Sequence, residues 1–349
     1  MSINNIIDLR SDTVTVPTLE MRDAMAQAEV GDDVLGEDPS INQLQDMAAA
    51  LLGKEAGLFV TSGTMGNLIA LLTHCARGDE IIIGDTSHIF VNEAGSSASV
   101  GGIHTRTIPT QPDGTLRTED VAMAIRAVDD HYPDTRLIAI ENSHNRTGGT
   151  VLSAEYTHQI AELAHQRGLM LHIDGARIFN AAVALNADVR SLAQEADSVS
   201  FCLSKGLGAP VGSVLCGSKS FIQRARRKRK MLGGGMRQGG ILAAAGLFAL
   251  EHNIERLDED HMNARRLALG INALPGLAVD MKSVQTNMIY FDLADSVGFD
   301  AKQLCLLTAD HRVKMSAVSA RTIRAVTHLW ISSADIDTTV QVLAETTKP

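Results

Sequence analysis

Short apolar runs alternate with stretches of helical periodicity through the first two thirds of the chain. Gly57–Val60, Glu80–Ile83, His104–Ile108, Leu137–Glu141, Leu169–Ile173, Ser198–Cys202 and Gly212–Cys216 have the length and composition of buried strands. Thr64–Arg77, Ala154–Arg167 and Ser218–Met231 fit helices between them. The alternation predicts an α/β fold, a mainly parallel seven-stranded sheet flanked by helices on both faces. Such sheets collect ligands at the carboxyl ends of their strands. Beyond Gly235 the order changes. Gln238–His252 and Glu255–Ala273 read as helices, Met288–Asp292 and Thr322–Val326 as strands, and Ser333–Thr346 as a closing helix. That order predicts a smaller C-terminal α+β domain. The expected division is an N-terminal arm over 1–14, a large domain over 15–255 and a small domain over 256–349.

The chain has 349 residues, 45% of them hydrophobic but only 3% aromatic, so aliphatic side chains must fill the core. A net charge of −10 argues against general nucleic-acid binding. Cys75, Cys202, Cys216 and Cys305 form no C-x-x-C pair and suggest free thiols in a reducing cytoplasm. Met1–Arg10 lacks the pattern of a signal peptide, and no apolar run is long enough to span a membrane. No ligand cluster for a metal stands out.

Leu169–Arg177 reads as a buried strand that ends at Asp174. Lys205 follows 31 residues later (205 − 174) in the small-residue turn Ser204–Gly212. An acid at a strand end and a lysine in such a turn match the needs of pyridoxal phosphate: the lysine forms a Schiff base and the acid faces the pyridinium nitrogen. Either residue could instead be an ordinary cap or a solvated side chain. Thr61–Asn67 leaves a strand and opens a helix, where free N–H groups and the Ser62 and Thr64 hydroxyls suit an anion. An ordinary N-cap is the plainer account. His88 and His144 each follow a strand, at the edge expected to face ligand, and an imidazole there could stack on a ring or act as a base. Arg224–Lys230 is strongly basic, but Phe221, Ile222 and Ala225 make it a solvated or subunit-facing helix rather than a nucleic-acid site. Arg237 ends a flexible glycine stretch and suits an anion.

Together these segments resemble the low-specificity L-threonine aldolases among the fold-type-I pyridoxal phosphate enzymes. The likeness runs from Asp8–Thr13 through Gly31–Asp33, Glu37–Pro39, Ser62–Thr64, His172–Asn180, Leu203–Gly208 and Gly234–Gln238 to Arg324–His328. The resemblance implies that Lys205 carries the cofactor, Asp174 pairs with the ring nitrogen and His88 stacks over the ring. It implies that Gly63 and Thr64 hold the phosphate, and that Ser11, Arg177 and Arg324 bind the substrate carboxylate. His144 would sit near the substrate hydroxyl. Lys230 and Arg237 would come from a neighbouring subunit of a homotetramer built from dimers. The implied reaction is retro-aldol cleavage of L-threonine, L-allo-threonine and related β-hydroxy-α-amino acids to glycine and an aldehyde. Two residues depart from the family pattern: Leu35 where many relatives have tyrosine, and Val16 where a basic residue is common. β-Elimination or transamination on the same cofactor is the rival reading, and a non-catalytic nucleic-acid binder is the remote one.

Overall fold

The computed structural model describes residues 6–348. Its main sheet has seven strands in the order Ala56–Val60, Ser213–Gly217, Ser198–Cys202, Met170–Asp174, Thr135–Glu141, Glu80–Gly84, His104–Ile108. Neighbours from Ser198–Cys202 through His104–Ile108 pair in parallel, and Ser213–Gly217 alone runs against both of its neighbours. All seven strands expected from the apolar runs are present, with ends shifted by no more than two residues.

The near-continuous apolar strands follow from burial on both faces. Ile82, Ile138, Ile140, Leu171 and Ile173 pack into one core beneath Pro39–Leu52 and Ala154–Gln166. Ile81, Ile83, Leu137 and Ala139, one residue out of phase, pack with Leu71 and Ile89 on the other face. Helix starts are capped by side-chain oxygens: Asp38 before Pro39, Ser62 before Gly63, Ser153 before Ala154 and Ser218 before Lys219. The helix expected over Thr64–Arg77 spans Gly63–His74, because Cys75 is already extended.

A second, all-antiparallel sheet orders Ser316–Ala317, Thr322–Val326, Met288–Leu293 and Leu277–Val279. Helices Leu257–Asn272, Ala301–Asp310 and Ser333–Thr346 close its own core. Leu9 lies in that core, and Ile7–Asp8 pairs in parallel with Val313–Lys314. Residues 7–9 therefore reach the C-terminal sheet, where Leu9 O accepts the Val326 N–H, and Asp12 just beyond them meets Arg177 after the strand Met170–Asp174. The helices Leu19–Ala26 and Ala301–Asp310 and the strand Leu277–Val279 have no counterpart among the sequence expectations.

Candidate active site

Asp174 is the last residue of its strand and is buried. Its Oδ1 accepts the Ala176 N–H at 3.1 Å and its Oδ2 accepts an N–H of Asn67 at 2.9 Å. The next strand, Ser198–Cys202, leads into the turn that bears half-buried Lys205. Glycine is required in that turn: Gly208 has φ +77°, and a Cβ there would lie 2.5 Å from Leu329. The Lys205 charge reaches Asp12, whose carboxyl it helps to hold down, and His88, whose protonation it opposes. Asp174 acts on the same histidine with the opposite sign, so the charges of Lys205 and Asp174 meet at His88.

Helix Gly63–His74 packs against the strands that lead to both. A Cβ on Gly63 would meet Cys202 Sγ at 2.8 Å, and Asn67 in the same helix holds Asp174. Its first-turn N–H groups have no intrahelical acceptor. Ser62 Oγ accepts the Met65 N–H at 3.2 Å, the plain capping role.

His88 follows the strand Glu80–Gly84 and is half-buried. Its backbone N–H donates to Glu141 Oε2 at 2.7 Å, and its Nδ1 lies 2.9 Å from Glu93 Oε1. That hydrogen bond raises the imidazole pKa against the opposing effect of burial. Glu93 Oε1 also accepts from Asn67 Nδ2 at 2.8 Å. Ligand atoms of His88, Glu93 and Asp174 thus lie within 4.8 Å of one another, a grouping that sequence spacing did not reveal. The chain's own N–H donors occupy the Glu93 and Asp174 oxygens that face each other.

His144 differs. It is fully buried, neither ring nitrogen has a hydrogen-bond partner, and the carboxylate recorded near it is Glu141, 3.9 Å from Nε2. Thr86 Oγ1, Ser143 Oγ and Glu93 Oε2 are likewise buried without a partner.

Among the expected carboxylate binders, Arg177 is already engaged. Its Nε and Nη2 bond the two oxygens of Asp12 at 2.7 and 2.6 Å. Burial would raise the Asp12 carboxyl, but Arg177 outweighs it and holds the pKa at about 2. Arg324 is less committed: Nη1 donates to Asn145 Oδ1 and Nη2 to Arg10 O, both at 3.1 Å, while Nε is buried and unpartnered. Ser11 Oγ accepts from the Thr13 backbone and hydroxyl at 3.2 and 2.8 Å.

Lys230 and Arg237 lie elsewhere. Both are exposed, and Arg237 donates to Asp32 Oδ2 at 2.8 Å, beside the turn Asp33–Leu35. None of their recorded hydrogen bonds reaches Asp174 or His88. The basic helix Lys219–Met231 buries Phe221, Ile222 and Ala225 as expected, and also Arg229, which bonds Asp33 Oδ2 at 2.5 Å and Phe59 O at 2.8 Å.

Asp12, Asn67, Glu93 and Asn145 were not singled out from sequence. Asp12 and Asn67 sit inside motifs that were. Glu93 has no local signal, because it meets His88 only through the turn that follows.

Pyridoxal phosphate fits these residues: a helix that opens on a closely packed glycine for the phosphate, a buried carboxylate with no arginine or lysine of the described residues in ion-pair contact for the ring nitrogen, and a lysine in the turn after the neighbouring strand. Fold and site together define a fold-type-I pyridoxal phosphate enzyme. The β-eliminating lyase family matches residues 8–294. A low-specificity L-threonine aldolase of Arabidopsis thaliana is 49% identical over 96% of this chain and 94% of its own length. Its counterpart in Escherichia coli strain K12 is 47% identical over 94% of this chain and 95% of its own. The solved Leishmania major threonine aldolase superposes with a TM-score of 0.82 over 98% of this chain and all of its own, at 21% identity, a likeness of fold alone. The chain belongs to the low-specificity L-threonine aldolase family.

Proposed function

We propose that this enzyme cleaves L-threonine, L-allo-threonine and related β-hydroxy-α-amino acids to glycine and an aldehyde, using pyridoxal phosphate. The observation that carries this reading is the convergence of Lys205, Asp174 and the Gly63–His74 helix at the carboxyl edge of one sheet. The cofactor supplies an electron sink for the pair released when Cα–Cβ breaks. Lys205 provides the amine that anchors it. Asp174, oriented by Ala176 and Asn67, sets negative charge at the ring nitrogen. Ser62, Gly63 and Thr64 hold its phosphate. Arg324, with a free buried Nε, is the stronger ligand for the substrate carboxylate; Ser11 and Arg177 border it, the latter held in place by Asp12. Fixing that carboxylate would hold the substrate in a single orientation at the site. His144 takes the β-hydroxyl proton, since both its nitrogens are free of the chain. His88, held by Glu93, would stack on the cofactor when it is bound.

The same reading assigns residues 1–14 to an arm, 15–255 to a cofactor domain and 256–349 to a small domain; residues 1–5 lie outside the described structure. The separate core around Leu9 and the C-terminal sheet supports that division. Lys230, Arg237 and exposed Leu35 form a patch that completes the site of a neighbouring subunit in a homotetramer. Mixing Lys205→Ala and Arg237→Ala subunits should then restore part of the activity that each lacks alone. The four free cysteines suit a cytoplasmic enzyme, and no helix among the described residues is long and apolar enough to cross a membrane.

The deciding experiment supplies L-threonine to the holoenzyme and identifies the products. Glycine and acetaldehyde are expected. Pyruvate and ammonia from serine as the main products would establish β-elimination instead, and a keto acid from threonine would establish transamination.

A further inference from the structure

Asn67 makes four hydrogen bonds that fix which way its amide points. Its nitrogen lies 2.9 Å from Asp174 Oδ2 and 2.8 Å from Glu93 Oε1. Its oxygen lies 2.6 Å from Ser200 Oγ and 3.1 Å from His172 Nε2. The opposite orientation would set the amide oxygen against two carboxylate oxygens, so the NH₂ group must face the acids. Ser200 and His172 Nε2 are then obliged to donate.

The constraint propagates. With Nε2 protonated, a neutral His172 accepts at Nδ1, 2.8 Å from Ser198 Oγ. Ser198 therefore donates to it, and in turn accepts from His74 Nε2 at 2.8 Å. Burial pushes the His172 pKa down to about 4, which keeps it neutral as this arrangement requires. Met170 and Ser198 begin their strands and Asp174 ends one, so the chain of bonds runs from the amino edge of the sheet to its carboxyl edge. At the far end, His74 lines a cleft of about 520 Å³.

We propose that Asn67 is a positioning residue of the cofactor site: a directed chain from His74 through Ser198 and His172 orients its amide, which holds Asp174 and Glu93 apart with one N–H each. Both hydrogen-bond partners of Asp174 are neutral donors, so no cation of the chain competes with a ring nitrogen for this carboxylate. This rests on the cofactor reading above.

The test has three parts. In the wild-type protein, nitrogen-15 NMR of labelled histidine should show His172 as the neutral Nε2–H tautomer at neutral pH; an Nδ1–H tautomer or an imidazolium overturns the chain. Asn67→Asp removes the donors and adds a third acid. Its Kd for pyridoxal phosphate should rise about tenfold to a hundredfold. Its kcat should fall while the KM for threonine moves by less than about threefold. Should that protein not fold, Ser200→Ala, which only loosens the amide, should raise the Kd about threefold to tenfold. Borohydride trapping separates the two claims. No wild-type adduct on Lys205 overturns the site reading and with it the bearing of Asn67 on the cofactor. An adduct with unchanged Kd in the folded variants overturns the inference alone.

Discussion

Two buried aspartates border this site, and the chain treats them differently. Asp12 meets both arms of the Arg177 guanidinium and a further N–H from Asn287 at 3.2 Å. Asp174 is met by a backbone N–H and an amide, and no arginine or lysine pairs with it. A buried charge is costly unless it is paired and hydrogen-bonded. The fold completes one of the two pairs itself. At Asp174 it supplies the hydrogen bonds without an arginine or lysine partner. The first arrangement is architecture, and the second is what the proposed cofactor site requires.

Lys205→Ala gives the largest separation between the two. It removes the amine assigned above to the cofactor and leaves the Asp12–Arg177 pair intact. Threonine cleavage should fall by on the order of 10⁴ or more, while the thermal stability of the apoprotein should move by less than about 1 kcal/mol. A borohydride-trapped adduct elsewhere on the Lys205→Ala chain would sink the assignment.

Matched Asp→Asn changes test the comparison directly. Asp12→Asn leaves Arg177 buried without its counter-charge and should cost about 3–5 kcal/mol of apoprotein stability. Asp174→Asn should change that stability by less than about 1 kcal/mol, yet weaken cofactor binding. Denaturant melts of both apoproteins, with cofactor titrations alongside, would read this; equal stability losses would erase the distinction. Acid should report the same asymmetry. The Asp12 pKa is held at about 2, below the 3.8 of an unperturbed aspartate. A depressed folded-state pKa contributes stability that is present above the unfolded value and is lost as pH falls through the folded one. The wild type should therefore lose about 2 kcal/mol between pH 4 and pH 2 that Asp12→Asn does not have to lose.

The two histidines carry the contrast into the chemistry. His144 is free of the chain and His88 is bound to Glu93. His144→Gln should lower kcat by about a hundredfold or more. His88→Asn should retain turnover within about tenfold. If instead His88→Asn abolishes turnover with normal cofactor affinity, the proton transfer belongs to His88.

The strands of the main sheet were legible because each is buried on both faces and bounded by turn residues. Helix Leu19–Ala26 was not, since its one buried side chain, Met21, gives no stripe to read. Lys205, Asp174 and the Gly63 helix start were legible because their local sequence alone places them at strand ends. The partners that decide their roles were not. Asp12 reaches Arg177 across 165 positions and Asn67 reaches Asp174 across 107, and no periodicity records contacts of that range. Arg177 was expected at the substrate carboxylate, and its bonds to Asp12 are visible only in the structure.

The smallest effect is expected at Leu35, away from both aspartates. Its side chain is 69% exposed, beside the Asp32–Arg237 ion pair and next to Val34, whose methyl approaches Gly235. None of these residues bonds Asp12 or Asp174 within the chain. Leu35→Tyr would add a hydroxyl to the patch assigned above to a neighbouring subunit's substrate region. Such a group can discriminate between substrates that differ in where their own hydroxyl or methyl points, because only one of them leaves it hydrogen-bonded. The ratio of kcat/KM for L-threonine to that for L-allo-threonine should shift by about threefold to tenfold. The Kd for the cofactor should stay within about twofold, since neither aspartate is touched. A cofactor Kd that moves tenfold with an unchanged substrate ratio would place this patch on the Asp174 side of the comparison, and the reserved charge would then be tuned across the subunit boundary.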